Sequence, residues 1–361
     1  MRTAPLDGIR VLELASYLSG PYAGTLLADF GADVIKIELP TSGDPMRQLG
    51  TPVSAEPDAP THWWLAVGRN KRTVTLDVRT KEGRDIFARL LRDADAVIEN
   101  FRPGTLESWG IGPEWMRKIK PDLVVLRVSG YGQTGPRSGA PGFDRNAQAY
   151  SGLLAFNGEE GNPPMQVGIP ICDYLGGLWG ALGILLALIG RLRGKQSGDI
   201  VDLALYETVL PFFKDSLATA AVSGREPTRF GNKPGYVAPG GAYLTCDQKW
   251  IFLSATGDPT FARLAQAMGM PELATDPRFA SHRARLENAG AIEETVSSWV
   301  QSKSSAEVIR ILEDNLVPVV KVSSIGDLLA DPHIAERGNL VGFDEPGTAR
   351  TVQANVVPRL T

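Results

Sequence analysis

The sequence predicts a doubly wound α/β domain followed by a smaller α+β domain. Two observations lead to this prediction. The first half alternates short β-type runs with helical patterns, and this alternation stops after about Ser197. Alternating strands and helices favour a mostly parallel sheet. The length of 361 residues also exceeds what one hydrophobic core usually supports, so two domains are expected.

Five segments of the first half have the composition of strands. They are residues 8–15, 32–39, 72–78, 94–100 and 121–129. Between the first two, Ser19 can cap a helix, Pro21 sits early in it, and Gly31 can end it. Ligands of doubly wound sheets bind at the carboxyl ends of the strands, so the loops after these segments form the predicted site.

The second half predicts a different arrangement. Residues 199–222 look helical, 241–255 read as two strands joined by a turn, and helical patterns follow at 258–268, 291–301 and 305–315. We therefore expect a large Rossmann-like domain at 1–198, a linker helix at 199–222, a small α+β domain at 223–325, and a segment at 326–361 that returns to the large domain.

Composition and charge limit the classes of function. The formal net charge of −4 gives no electrostatic case for binding nucleic acid or an anionic membrane. Cys172 and Cys246 form no CxxC pair, and residues 1–10 contain no apolar signal-peptide core, so a cytoplasmic protein is expected. The apolar run at 178–189 is shorter than the ~20 residues of a membrane span, and we predict a buried helix there, apolar nearly all round.

Familiar cofactor motifs are missing from the sequence. It contains no GxGxxG after the first strand, no GxxxxGK[ST] and no GxSxG. The three histidines, His62, His282 and His333, are scattered and make no paired spacing. With two isolated cysteines, this pattern argues against a zinc or iron–sulfur site, and we expect no metal.

Asp173 is the candidate catalytic residue. It lies in GIPICDYLGG, at the start of a long apolar helix. Because N–H groups in a first helical turn favour an anion, we expect an ionised carboxylate there. Gly176 and Gly177 leave room for a bulky substrate to approach the backbone. The alternative, a helix-start aspartate followed by two glycines used for close packing, stays open.

Eight segments resemble one known family, in the family's order and over essentially the whole chain. They are LDGIRVLELASYLSGPYAGTLLADFGADVIKIE, GRNKRTVTLDVRTKEGR, ADAVIENFRPGTLESWG, VVLRVSGYGQTGP, PGFDRNAQAYSG, ICDYLGG, SGDIVDLALYE and LLADPHIAERG. The sequence is similar to class III CoA-transferases of the CaiB/BaiF type, which are formyl-CoA transferase-like and related to 2-methylacyl-CoA racemases. Asp173 falls on the aspartate that this family uses as its nucleophile.

The resemblance implies a fold, an activity and an assembly. CoA would move from an acyl-CoA donor to a carboxylic acid through acyl-aspartyl anhydrides and an aspartyl-CoA thioester on Asp173. Succinyl-CoA is a common donor in the family. Transfer between molecules is the leading expectation, and migration of CoA within one dicarboxylate is a variant with the same chemistry. The family forms interlocked homodimers. Many of its transferases continue past VVPRLT, where this sequence stops, so we expect terminal helices of the family to be missing from it.

Seven residues match the family's CoA-binding positions: Ser16, Leu18, Ser19, Leu76, Arg79, Asn100 and Phe101. The competing interpretation for Leu76 and Phe101 is that they pack in the core. For Arg79 it is that the side chain is a solvated charge. Leu39 and Ser108 replace arginines that some members place on the nucleotide. The CoA phosphates would then be held differently, with four cations as candidates: Arg47, Lys71, Arg102 and Arg137.

Two other functions remain alternatives. The racemase branch uses a His–Asp pair, but Phe143 stands where its histidine would fall, so transfer is favoured. A non-catalytic acyl-CoA-binding protein is the third hypothesis. For the rest of the site, residues 238–241 (APGG) are a candidate lid or oxyanion wall, with an ordinary turn as the alternative. His62, Trp63 and Trp64 are candidates for lining the acid pocket. The alternative is that they pack at the edge of the domain.

Overall fold

The chain forms two compact units in a computed structural model, which describes residues 4–194, 197–213, 215–233, 235–344 and 350–360. The first unit consists of Met1–Leu154, Gln166–Glu226 and Asn339–Thr361. The second consists of Ala155–Met165 and Pro227–Gly338. Each unit is therefore assembled from segments that lie apart in the sequence.

A six-stranded parallel sheet forms the centre of the first unit. Its strands are β1 (Arg10–Glu13), β2 (Asp33–Glu38), β3 (Arg72–Thr75), β4 (Ala96–Glu99), β5 (Val124–Ser129) and β6 (Ile200–Ala204). The strand order is β3-β2-β1-β4-β5-β6, and every pairing is parallel. This confirms the predicted α/β fold. The order reverses direction between β1 and β4, which is where ligands of such sheets bind.

Helices follow and connect the strands, and several of them pack on the sheet. They are α1 (Ser19–Asp29), α2 (His62–Gly68), α3 (Lys81–Leu91), α4 (Thr105–Ser108), α5 (Pro113–Ile119), α6 (Asp144–Tyr150), α7 (Leu153–Phe156), α8 (Ile171–Leu192) and α9 (Ser216–Ser223). Central strands are hydrophobic without alternation because both of their faces are covered. Val97, Ile98, Val125 and Leu126 are fully buried, and each such side chain contributes about 1.5–3 kcal/mol relative to exposure.

The predicted linker helix at 199–222 is wrong, because this stretch contains three elements. It begins with β6, continues as a 3₁₀ helix (Leu205–Phe212), and ends in α9. β6 pairs with β5 from Ile200 to Ala204, so tertiary pairing overrides the helical pattern. The Asp202 carboxylate also accepts a hydrogen bond from the Gln133 N–H at 3.0 Å.

Helix α8 packs on α1 and the sheet through small residues. An added Cβ at Gly177 would stand 2.7 Å from the Tyr22 ring, and one at Gly180 would stand 2.7 Å from Leu126. Both distances are too short for a real Cβ, so the glycines allow helix and sheet to approach closely. This favours the packing interpretation of the glycines after Asp173.

The opposite face of α8 is apolar and exposed. It carries Leu178, Leu182, Leu186, Ile189 and Leu192. The prediction of a helix buried all round is therefore wrong for this face, since no element of the described chain covers it. By length and composition alone α8 could also cross a membrane, although its other face packs inside the first unit.

The second unit is an antiparallel sheet with helices. Strands β7 (Gly240–Leu244) and β8 (Trp250–Ser254) form the predicted hairpin, and β9 (Val319–Lys321) adds a third strand that the sequence did not reveal. Its helices are α10 (Asp258–Ala267), α11 (His282–Glu287), α12 (Ala289–Gln301), α13 (Ser305–Asp314), α14 (Ile325–Ala330) and α15 (Pro332–Glu336). The sequence did not predict a second antiparallel pair, β10 (Leu340–Phe343) with β11 (Thr351–Ala354), which belongs to the first unit.

Residues 238–241 do not form a mobile lid. They are buried and lead into β7. The Ala238 carbonyl accepts a hydrogen bond from Arg285 Nε at 3.0 Å, and the Gly240 N–H donates to Glu293 Oε1 at 3.0 Å. Because Arg285 and Glu293 are themselves buried, the segment is fixed to the second unit by charged hydrogen bonds.

Candidate active site

Asp173 lies in the first turn of α8, beside the carboxyl ends of three strands. It lines a pocket of about 260 Å³, here called the Asp173 pocket. The lining comprises residues 16–19, 100–103, 128–130, 138 and 140–143, together with Asp173 and Leu205. These segments follow β1, β4 and β5, so the pocket occupies the edge of the sheet that the strand order predicts.

Asp144 holds the start of α8. Its Oδ1 accepts hydrogen bonds from the backbone N–H groups of Cys172 at 2.7 Å and Asp173 at 3.2 Å. Its Oδ2 accepts another from Gln148 Nε2 at 2.7 Å. The amides at this helix terminus, which attract negative charge, therefore already bind a carboxylate other than that of Asp173.

The Asp173 carboxyl is less acidic than expected from its helix position. Burial, and secondly the charge of Asp144, raise the pKa of Asp173 to about 7. The helix start does not lower the pKa of Asp173 as expected, because Asp144 has taken the N–H groups that would stabilise its charge. Burial likewise raises the pKa of the neighbouring Cys172 thiol to about 12, which makes it a poor nucleophile.

Buried side chains also fix the loops beside Asp173. Asn100 Oδ1 accepts from the Ser16 N–H at 2.9 Å, and Asn100 Nδ2 donates to the Ser16 carbonyl at 2.7 Å. Glu99 accepts from the Phe101 N–H at 2.7 Å and pairs with Arg127 at 2.6 Å. Burial raises the pKa of Glu99 to about 7 despite that pair. The ends of β1 and β4 are thus tied to each other and to the sheet.

A second pocket adjoins the first. It has a volume of about 330 Å³, is mostly apolar, and lies at the carboxyl ends of β1 and β2, so we call it the β1–β2 pocket. Its lining includes Ser16, Leu39, Leu76, Val78, Arg79, Phe101 and Trp109. Ser16 and Phe101 line both pockets. The two pockets together can hold a ligand much longer than either one.

The aromatic residues predicted to line an acid pocket lie elsewhere. Trp64 is buried in a small core cluster with Leu18 and Met46. Trp63 Nε1 donates a hydrogen bond to the hydroxyl of Tyr174, the residue after Asp173, at 3.2 Å. None of His62, Trp63 and Trp64 lines the Asp173 pocket. Packing, the alternative interpretation, is correct for Trp64.

The raised pKa of Asp173 predicts a pH-dependent stability effect. The folded state holds this proton up to pH about 7, whereas an ordinary aspartate loses it near its usual pKa of 3.8, so this carboxyl stabilises the fold at low pH. That contribution is lost as pH rises through about 7. We expect Asp173→Asn, which cannot ionise, to raise Tm more at pH 8 than at pH 4.5. Thermal unfolding of both proteins measures this, and an equal difference at the two pH values contradicts it.

A sequence model described as CoA-transferase family III matches residues 6–361. The chain belongs to this family. It is 42% identical to a succinyl-CoA–D-citramalate CoA-transferase of Chloroflexus aurantiacus over 99% of this chain and 88% of that protein. It is 34% identical to a succinate–glutarate CoA-transferase of Agrobacterium fabrum over 96% of this chain and 87% of that one.

Solved structures of CaiB/BaiF proteins have the same fold as this CoA-transferase. A family protein from Brucella suis superposes with a TM-score of 0.84 at 31% identity, covering 99% of this chain and 97% of its own. Rv3272 from M. tuberculosis superposes with a TM-score of 0.86 at 28% identity, covering 99% and 93%. The predicted family, fold class and enzyme class are confirmed.

The seven predicted CoA-binding residues of this transferase are divided between the two pockets. Leu76 and Arg79 line the β1–β2 pocket, Leu18, Ser19 and Asn100 line the Asp173 pocket, and Ser16 and Phe101 line both. Their contact with CoA remains a prediction. Two of them have their polar atoms engaged already: Asn100 by Ser16, and Arg79 by the Asp77 carboxylate at 2.8 Å.

The four candidate cations for the CoA phosphates differ in their surroundings. Lys71 is fully buried and paired with Glu13 at 2.8 Å, so it cannot meet a phosphate, and that prediction is wrong. Arg47 pairs with Glu38 and stacks on Trp64, outside both pockets. Arg137 stacks on Tyr150. Arg102 lines the Asp173 pocket.

Asp144 is a site residue that the sequence did not reveal. It follows Phe143 in the PGFD segment, where the sequence drew attention only to the missing histidine. The carboxylate of Asp144 nevertheless holds the start of the helix that carries Asp173. Phe143 does line the Asp173 pocket, and no histidine of the described chain lines it. The named relatives are transferases as well, which agrees with transfer rather than racemisation.

Proposed function

We propose that this enzyme moves CoA from succinyl-CoA or a similar acyl-CoA to a dicarboxylic acid through covalent intermediates on Asp173. The observation that carries the proposal is the Asp173 carboxyl itself. It lines a pocket that shares Ser16 and Phe101 with the mostly apolar β1–β2 pocket, and burial raises its pKa to about 7. A desolvated, more basic carboxylate is a better nucleophile than one in water.

The reaction begins with attack of the Asp173 carboxylate on the thioester carbonyl of the donor. The carbon–sulfur bond breaks, giving an acyl-aspartyl anhydride and CoA thiolate. The thiolate then attacks the aspartyl carbonyl, which releases the donor acid and leaves an aspartyl-CoA thioester. The acceptor carboxylate attacks this thioester, and the same two steps run in reverse to give the new CoA ester and free Asp173.

Residues of this chain would position each partner. The β1–β2 pocket suits the adenine ring or the pantetheine arm of CoA, because it is mostly apolar and shares Ser16 with the Asp173 pocket. Asp144 holds the first turn of α8, so the nucleophile keeps its place while acyl groups come and go. Arg102 is the cationic side chain in the described lining of the Asp173 pocket.

The names of the relatives suggest the substrate class. Several of them are named for succinyl-CoA or succinate together with D-citramalate, L-malate, glutarate or mesaconate. Each of these acids carries two carboxylates on a chain of four or five carbons. We therefore propose succinyl-CoA as donor and a small dicarboxylic acid as acceptor.

Mass spectrometry of the CoA pool in D₂O tests transfer and its alternative together. The enzyme is incubated with succinyl-CoA and, separately, with citramalate, malate, glutarate and acetate. We expect a new CoA ester with at least one dicarboxylate and much less with acetate. Deuterium at the acyl α-carbon without any new ester would instead support a racemase. CoA binding without either reaction would support a non-catalytic acyl-CoA-binding protein.

The exposed face of α8 supports a homodimer. Its leucine and isoleucine side chains form a continuous apolar stripe, which a protein in water normally covers. We propose that a second copy of the chain covers this stripe in a cytoplasmic homodimer. Sedimentation velocity at micromolar concentration measures the assembly, and a monomeric enzyme with full activity would contradict it.

A further inference from the structure

Tyr17 has an unusual backbone conformation next to the nucleophile. Its φ is +63°, in the left-handed region that side chains with a Cβ rarely adopt. It lies in the loop between β1 and α1, and the residue is 46% exposed. Strained residues persist only where the surroundings determine them, so something must hold this one.

A chain of four buried charges reaches the Tyr17 loop. Lys71 pairs with Glu13 at 2.8 Å, Glu13 with Lys36 at 2.9 Å, and Lys36 with Asp44 at 2.7 Å. All four side chains are at most 1% exposed. Asp44 and Lys36 end the chain on the loop backbone, where Asp44 Oδ1 accepts from the Tyr17 N–H at 3.2 Å and Lys36 Nζ donates to the Ala15 carbonyl at 2.8 Å.

Asn100 binds the residue between these two contacts. With Ala15 held by Lys36, Ser16 by Asn100 and Tyr17 by Asp44, three consecutive residues each have a backbone group bonded to a buried or half-buried side chain. A turn that is fixed at every residue can keep Tyr17 in a conformation that it would otherwise leave.

The turn directs the Tyr17 ring to the Asp173 pocket. The ring meets Phe143 edge-on, with 6.4 Å between ring centroids, and both residues line the pocket with Asp173. Phe143 is 67% exposed, so the pair presents apolar surface to solvent at the nucleophile. Exposed aromatic rings beside a reactive carboxyl are well placed to exclude water once an acyl group is attached.

We propose that the Lys71–Glu13–Lys36–Asp44 chain holds Tyr17 in its strained conformation so that its ring, with that of Phe143, shields the covalent intermediate on Asp173 from water. Asp44 is then a positioning residue. The inference rests on the proposed function. The reaction suppressed is attack of water on the aspartyl-CoA thioester, which breaks the carbon–sulfur bond and yields CoA thiol and free Asp173.

Tyr17→Gly separates shielding from structure. Glycine adopts the left-handed conformation without strain but removes the ring. We expect its Tm to be equal to or above that of wild type, while the ratio of hydrolysis to transfer rises about tenfold, equivalent to about 1.4 kcal/mol of lost discrimination. Tyr17→Phe keeps the ring and should keep the wild-type ratio. Free thiol and new CoA ester are measured in the same succinyl-CoA reaction.

Gln248→Gly is the matched control. Gln248 has φ +58° in the turn between β7 and β8, outside both pockets, so this variant should change neither activity nor the ratio. Asp44→Ala should raise the ratio as Tyr17→Gly does. A Tyr17→Gly protein with the wild-type ratio, or one whose Tm and transfer fall together, overturns the proposal. If the wild-type enzyme transfers no CoA, both the proposed function and the shielding role fail. The difference in Tm between Tyr17→Gly and wild type still measures the backbone strain.

Discussion

Asp173→Ala is expected to lower CoA transfer by about 10⁴-fold or more, because the described lining of the Asp173 pocket contains no second carboxylate that could take over the covalent step. The neighbouring Cys172 is buried with its thiol pKa raised to about 12, and Asp144 is bonded to the start of α8. The residual rate should match that of the reaction without enzyme. Initial rates of new CoA ester formation from succinyl-CoA measure the effect.

Asp33→Ala provides the matched control. Asp33 begins β2 at the amino end of the sheet, opposite the pockets, and pairs with Arg10 and Arg72 near the surface. It should transfer CoA at the wild-type rate. Both variants should bind CoA like wild type, which separates a lost nucleophile from a lost site. Transfer by Asp173→Ala at a rate near that of wild type would rule out a covalent role.

Oxygen labelling tests the same role without a mutation. When an acceptor carboxylate labelled with ¹⁸O attacks the aspartyl thioester, one labelled oxygen becomes the bridge of the anhydride. Thiolate attack on the acceptor carbonyl then leaves that oxygen on Asp173. After turnover, the peptide containing Asp173 should therefore gain ¹⁸O, whereas a peptide containing Asp144 alone should not. Transfer without label would indicate direct exchange between the two substrates.

The sheet could be predicted because its strands carry their own signal. β1, β2, β4 and β5 are hydrophobic runs that end at turn residues, and nearly all of their positions are buried. β6 was missed because it is an edge strand with alternating burial, embedded in residues that also suit a helix. β9 has three residues, too few for any periodicity.

The position of Asp173 at a helix start could be predicted from sequence, but its electrostatics could not. A helix-start aspartate is visible in ICDYLGG, whereas the pKa of Asp173 depends on Asp144, 29 residues earlier in the sequence. The same limit applies to Lys71. The sequence offers it as a cation for phosphate, yet its side chain is buried against Glu13 of β1, 58 residues earlier in the sequence. Charges act through space, and the sequence does not give those distances.

Of the substitutions discussed, Lys36→Met is expected to lower the free energy of unfolding most. Lys36 lies on β2, is 1% exposed, and joins Glu13 to Asp44. Burial alone would lower its pKa, but these two carboxylates hold the pKa of Lys36 above its usual value. Methionine leaves Asp44 as a buried charge without its cation, and Glu13 with only Lys71. Removing one partner of a buried ion pair costs about 3–5 kcal/mol.

Arg72→Met is the control for Lys36→Met. Arg72 pairs with Asp33 on the neighbouring strands β3 and β2, but its side chain is 65% exposed, so its loss should cost no more than about 1 kcal/mol. Urea unfolding of both variants gives the comparison. If the network is charged, adding Asp44→Asn to Lys36→Met should recover part of the lost stability, because the unpaired charge disappears. If Lys36→Met and Arg72→Met lower the free energy of unfolding equally, the carboxyl groups of Glu13 and Asp44 carry no charge in the folded protein. The Tyr17 turn would then depend on neutral hydrogen bonds instead of a chain of charges.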